Sequence, residues 1–232
     1  MRFGAIVVGR LDSSRLPGKV LRSIHGEPLL AYVLARCGQI KVEGKKVVVA
    51  TSSRSVDDPI ADYCDQAGVA CFRGPEIDVA RRVLECATHF GFDCIARVNA
   101  DSPFLEPALL EEACHLVRNE GYEFVTNLYP RSFPYGVSVE VMKTDTFEEA
   151  CARMDSAFHR EHVTRVLYEQ IDRYRFFNIT RREQDLSSVR LTIDTPEDLA
   201  HFDQFVRTRT EPWAKISYLQ AVECYRKELL TT

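Results

Sequence analysis

Near its start the chain carries an unbroken apolar run, Phe3-Gly4-Ala5-Ile6-Val7-Val8. A strand with one wet face alternates apolar and polar residues. This run does not, so it predicts a parallel strand buried on both faces. The same signal recurs. Strands are predicted over Lys45 to Thr51, Val69 to Phe72 and Cys94 to Val98, with helices between them over Pro28 to Cys37, Asp58 to Ala67, Ile77 to Phe90 and Pro107 to Asn119. Alternating strand and helix imply an α/β domain with a mostly parallel sheet and right-handed crossovers. Further on, strands are predicted over Glu123 to Thr126, Val137 to Met142, Arg175 to Ile179 and Val189 to Ile193. Helices are predicted over Asp145 to Met154, His159 to Gln170 and Trp213 to Leu229, and from Thr195, with Thr195 as N-cap and Asp198 in the capping-box position. At 232 residues the chain fits a single domain spanning 1–232.

The first strand runs into Gly9-Arg10-Leu11-Asp12-Ser13-Ser14-Arg15-Leu16-Pro17-Gly18-Lys19. Open α/β sheets bind ligands at the carboxyl ends of their strands. A loop there with three cations, two serines and a Pro-Gly turn suits an anion, and Pro17-Gly18 gives it a defined shape that aims Lys19. It is not a P-loop, because Ser13 stands where glycine is needed and Val20 follows the lysine. No G-x-G-x-x-G follows the strand either. The three cations also fit a solvated basic loop.

The net charge of −4 excludes a global basic field for nucleic acid. No membrane segment or signal peptide is expected, and the cytoplasm is the default. The eight cysteines form no C-x-x-C and fall mostly in apolar patterns, which favours reduced, buried thiols.

Two aspartates follow predicted strands. Asp101 lies in Asn99-Ala100-Asp101-Ser102-Pro103, and Asp194 follows Leu191-Thr192-Ile193. Both carboxylates would face the sheet edge that carries the cationic loop. A magnesium–polyphosphate complex needs one or two protein carboxylates, with substrate oxygens and water completing the octahedron. Each aspartate also fits a helix cap.

Arg10-x-x-x-Ser14-Arg15-Leu16-Pro17-Gly18-Lys19 resembles the signature of the CMP-sugar synthetases, the cytidylyltransferases of acylneuraminate and ketodeoxyoctonate, and above all the spore-coat polysaccharide cytidylyltransferase-like proteins. Further segments match in order: Phe72 to Val79, Arg97 to Pro103, Pro130 to Gly136, Arg160 to Thr164 and Arg190 to Leu199. The resemblance implies a three-layer α/β/α nucleotide-diphospho-sugar transferase (GT-A-like) fold. It implies transfer of CMP from CTP to a sugar acid, with release of pyrophosphate, for surface polysaccharide or glycan assembly. Lys19, Arg10 and Arg15 would be catalytic. Arg10, Ser14, Arg15, Lys19, Arg73 and Asp78 would bind the nucleotide, and Asp101 and Asp194 would hold Mg2+. Glu140, Arg160, Glu161 and His162 would face the sugar. The segment of about 129–190 would carry the sugar side and a homodimer contact.

The chain departs from that pattern at three places. Val8-Gly9 replaces a glutamine-alanine pair. Ala100-Asp101-Ser102-Pro103 replaces Gly-Asp-Cys-Pro. Ser138 stands where relatives often carry aspartate. A different base or acceptor, or a non-catalytic nucleotide-binding role, are the rival readings. His159-x-x-His162 has helical spacing for zinc but lacks a third ligand in sequence.

Overall fold

The computed structural model describes residues 1–13 and 15–229. Its elements run β1 (Phe3–Val8), β2 (Ser23–Ile24), β3 (Glu27–Pro28), α1 (Leu29–Gly38), β4 (Lys45–Ser52), α2 (Asp58–Gln66), β5 (Ala70–Gly74), α3 (Val79–Phe90), β6 (Cys94–Asn99) and α4 (Pro107–Asn119). They continue as β7 (Phe124–Thr126), β8 (Glu140–Lys143), α5 (Thr144–Ala152), α6 (Ala157–Glu161), α7 (Arg165–Glu169), β9 (Phe176–Asn178), α8 (Pro196–Arg207) and α9 (Tyr218–Leu229).

One seven-stranded sheet has the order β5-β4-β1-β6-β8-β7-β9. Only β8 runs against its neighbours, antiparallel to both β6 and β7. β1 lies between β4 and β6, with Val7 level with Val49 on one side and Val98 on the other. Its alternate side chains feed two separate cores, which accounts for the uninterrupted apolar run. Phe3, Ala5 and Val7 join the core beneath α1, α2, α4, α8 and α9. Ile6 joins the core beneath α3, α5 and α7. The result is three layers with the sheet in the middle. Gly4 is required by this packing, since a Cβ there would come within 2.1 Å of the Phe92 ring.

The sequence expectations hold best where strand and helix alternate. Four segments differ. Val137–Val139 does not extend β8, because the Asn127 side chain takes the place of a neighbouring strand: its amide donates to the Val137 carbonyl and its carbonyl accepts from the Val139 N–H, each at 2.8 Å. The expected strand Val189 to Ile193 is extended backbone with a single bridge, Tyr135 to Arg190. The expected helix His159 to Gln170 breaks between α6 and α7. There Val163 takes φ +49° and the Thr164 N–H donates to the His162 carbonyl at 2.5 Å, a tight three-residue turn. A β-branched residue at positive φ is strained, and such strain collects at functional sites. The last expected helix splits into a 3-10 turn, Trp213–Lys215, and α9, with the Trp213 indole N–H donating to the Tyr32 carbonyl.

Candidate active site

The loop after β1 folds around one carbonyl. The Ser13 and Gly18 N–H groups both donate to the Leu11 oxygen, at 2.9 and 2.8 Å. Gly18 closes this turn at φ +71°, a conformation that a side chain would oppose. The Leu11 N–H donates to the buried Asp57 carboxylate at 2.7 Å, which pins the loop to the turn after β4. Lys19 then starts a 3-10 turn with its backbone fixed and its side chain directed inward.

Its ammonium meets both aspartates. Lys19 Nζ lies 2.7 Å from Asp101 Oδ2 and 2.9 Å from Asp194 Oδ1. Asp101 follows β6, which lies beside β1. Asp194 lies at the same point, where the Ile193 N–H donates to the Asp101 carbonyl at 3.0 Å and ties the segment before Asp194 to the loop after β6. Neither aspartate caps a helix. Glu106 occupies the N-cap of α4. Thr195 and Asp198 complete the capping box of α8 by themselves, which leaves the Asp194 carboxylate free to turn into the site.

Asp194, 7% exposed, is crowded by cations. Oδ1 also accepts from Arg15 at 2.9 Å, and Oδ2 accepts from the Thr192 hydroxyl at 3.0 Å and Arg190 at 3.3 Å. Burial opposes the Asp194 charge, but the Lys19 ammonium, the Thr192 hydroxyl and Arg15 outweigh it and hold this carboxyl below its ordinary pKa. Burial also opposes the charge on Lys19, which is 9% exposed, and here Asp101 and Asp194 outweigh it and raise the ammonium's pKa. The site therefore brings one buried carboxylate, Asp194, and one partly exposed one, Asp101, onto a nearly buried ammonium. Two carboxylates converging on one cation are also a donor set that fits a hard divalent ion, whose remaining ligands would be waters and substrate oxygens.

Lys19 and Asp101 line a cleft of about 310 Å3 at the carboxyl ends of β1 and β6. Of the residues singled out in the sequence, Arg10, Arg15, Glu161 and His162 line it too. Arg10 pairs with Glu161 at 3.4 Å, so the loop after β1 meets α6 across the cleft. The strained turn at Val163 ends α6 and directs the Thr164 hydroxyl to Glu140.

The other candidates, Asp194 and Arg160 among them, lie outside the cleft lining. Arg73 donates to the Ser52 and Arg54 carbonyls and pairs with Asp58 at 2.6 Å, bracing the turn after β4. Asp78 caps α3 through the Arg81 N–H and lies 3.6 Å from Arg160. Glu140 is only 2% exposed, and its oxygens accept from Arg97 at 2.6 Å, the Thr164 hydroxyl at 2.7 Å and the Tyr168 hydroxyl at 2.9 Å. It meets the cleft only through Arg97, which lines it. Ser14 lies outside the described residues. His159 pairs with Asp155 and Glu169, whereas the His162 ring packs at a tilt against Phe158, and no group of three metal-capable side chains occurs among the described residues.

Sequence reasoning missed Arg97, Arg82 and Arg190. Arg82 lines the cleft while almost fully buried, its guanidinium donating to the Pro75 carbonyl at 2.8 Å. Its helical spacing in α3 marks it as core, and only its charge could have singled it out.

Two of the sequence departures are one contact. A Cβ on Gly9 would stand 2.7 Å from the Ala100 Cβ. In the pattern that the resemblance implies, the methyl precedes Arg10 and the facing position is glycine; here the methyl is on Ala100 instead.

A family model described as cytidylyltransferase matches residues 4–230. The spore coat polysaccharide biosynthesis protein SpsF of Bacillus subtilis is 30% identical over 201 residues, 83% of this chain and 81% of that one. The 3-deoxy-manno-octulosonate cytidylyltransferase of Aeromonas salmonicida is 32% identical over 117 residues, 48% of this chain and 44% of its own. A solved cytidylyltransferase structure from Leptospira borgpetersenii superposes with a TM-score of 0.88 at 27% identity, over 98% of this chain and 95% of that one.

Proposed function

Because the chain belongs to the cytidylyltransferase family, we propose that it transfers the cytidylyl group of CTP to a hydroxyl of a sugar acid, releasing pyrophosphate. One observation carries the reading: the loop cation Lys19, which lines the cleft together with Asp101, meets that carboxylate at 2.7 Å and the sequence-distant Asp194, outside the lining, at 2.9 Å. A triphosphate in that cleft would lie against Arg10, Arg15 and Lys19. The acceptor oxygen would attack the α-phosphorus in line as the bond to the β-phosphate oxygen breaks, and the acceptor's proton would leave to solvent. Phosphoryl transfer of this kind rests on positioning and charge stabilisation. The three cations would neutralise the charge that develops on the departing pyrophosphate.

Asp101 and Asp194 would hold Mg2+. When bound, the ion would polarise the α-phosphate and lower the barrier to attack. The acceptor would enter from the side of Arg97, Glu161 and His162. Glu140 would orient Arg97 rather than touch substrate, since its oxygens are buried and engaged. The relatives named for polysaccharide biosynthesis and for 3-deoxy-manno-octulosonate support an acidic sugar acceptor and a place in surface glycan assembly. No helix among the described residues is long and apolar enough to cross a membrane. The exposed aromatic side chains Tyr129, Phe158 and Phe177 fit a homodimer contact within 129–190.

The test is pyrophosphate release from CTP and Mg2+ with a panel of sugar acids. Release that requires one acid and fails with UTP supports the proposal. CTP binding without release on any acid favours the non-catalytic reading.

A further inference from the structure

We infer that Lys19 keeps the carboxylate pair closed to free divalent cations, and that a polyphosphate opens it by drawing the ammonium away. The inference rests on the proposed metal role of Asp101 and Asp194, and adds an order to it: metal enters with the nucleotide or after it, never alone.

The oxygens of both carboxylates are engaged by the protein's own donors. Asp101 Oδ2 accepts from Lys19 at 2.7 Å and Oδ1 from the Ser102 hydroxyl at 3.2 Å. Asp194 Oδ1 accepts from Lys19 and Arg15, each at 2.9 Å, and Oδ2 from Thr192 and Arg190. A divalent ion needs the same lone pairs. It would also enter a site where Lys19, Arg15 and Arg190 already outnumber two carboxylates. Lys19 is nearly buried, so its repulsion of an entering cation is little screened, while the exposed Arg15 and Arg190 add less.

A triphosphate reverses this balance. Its negative charge gives Lys19 and Arg15 a second anion to engage, and both belong to the loop that faces the cleft. Lysine suits the exchange, because its compact ammonium sits on a flexible four-carbon stem. The Lys19 backbone is anchored by N–H donation to the Leu16 carbonyl at 3.2 Å, so the side chain can swing without unfolding the loop. Once the ammonium turns to phosphate, Asp101 Oδ2 and Asp194 Oδ1 become available together. Lys19 then acts twice, first as the resident counter-cation and later as a phosphate ligand.

Mn2+ binding without nucleotide tests this, read by the electron paramagnetic resonance of the free ion on the full chain. Wild type and Lys19→Arg are expected to bind Mn2+ weakly, and Lys19→Met at least tenfold more tightly. Adding Asp101→Asn to Lys19→Met is expected to abolish the gain. Equal, tight binding by wild type and Lys19→Met would overturn the inference and leave the metal role of the carboxylates standing. No Mn2+ binding to Lys19→Met, even with CTP, would remove that metal role and the inference with it. Should Lys19→Met not fold, nitrogen-15 NMR of the lysine ammonium groups in wild type decides. Inorganic tripolyphosphate with a chelator present is expected to shift the Lys19 resonance, and an unmoved resonance overturns the inference.

Discussion

The two sides of the cleft are built on different principles. The proposed phosphate side joins the loops after β1 and β6 to the segment that leads to Asp194, tied to Asp101 by a backbone hydrogen bond, and its ionic contacts are 2.7 to 3.3 Å long. The acceptor side is reached from a short helix, a strained turn and one antiparallel strand, and it meets the loop after β1 through a single 3.4 Å pair, Arg10 to Glu161. The first side is preorganised by the fold. The second is hung from it, and on the proposed function its buried carboxylate, Glu140, would act at one remove through Arg97. A rigid phosphate platform beside a separately attached acceptor wall lets one fold keep its chemistry while the acceptor changes.

If the phosphate side carries the chemistry, the largest loss comes from Lys19. Lys19→Ala is expected to lower kcat by roughly 100- to 1000-fold, about 3–4 kcal/mol, as for other preorganised donors to a developing charge. Steady-state pyrophosphate release, with folding checked by circular dichroism, reads it, and a loss under fivefold breaks the contrast. Gly136→Ala probes the join between the sides. Gly136 sits at φ +96°, and a Cβ there would stand 2.9 Å from the Leu191 carbonyl group, in the segment that leads to Asp194. The expected cost is about 1–3 kcal/mol in urea denaturation, with a raised KM for CTP.

That segment also shows where sequence reading reaches its limit. The cationic loop, Asp101 and the capping box were legible because each signal is local: a strand end, a turn, a helix start. The meeting of Asp101 with Asp194 depends on the Ile193 N–H reaching the Asp101 carbonyl, a contact that no spacing encodes. The broken helix was not legible for a different reason. His159 to Gln170 has helical composition, and the tertiary bonds of Thr164 and Tyr168 to Glu140 override it. Arg73 and Asp78 came from the family resemblance alone, whereas the structure engages both in bracing and capping.

The contact between Gly9 and Ala100 sharpens the comparison on the phosphate side. Gly9→Ala is expected to destabilise the fold, and adding Ala100→Gly to recover most of the loss. The coupling should be about 0.5–2 kcal/mol by urea denaturation, and strictly additive single effects would refute the paired exchange. The smallest effect is in pH. The Asp194 carboxyl is held below its ordinary value of 3.8, so its stabilisation is present above that pH and is lost as pH falls through the lowered value. Lys19 lies above 10.5, so its share is intact below that pH and fades only above it. Wild type should therefore lose more stability than Asp194→Asn between pH 4 and 2, while the two run parallel from pH 5 to 9.

The central claim is that the cations of the first loop and the two strand-end aspartates form one triphosphate–metal site. A crystal grown with a non-hydrolysable CTP analogue and Mn2+ tests it most directly, through anomalous scattering from the metal. The account predicts a Mn2+ peak bound by Asp101 and Asp194, with the triphosphate against Arg10, Arg15 and Lys19. A nucleotide whose phosphates lie away from Lys19, or a metal held by neither aspartate, would contradict it.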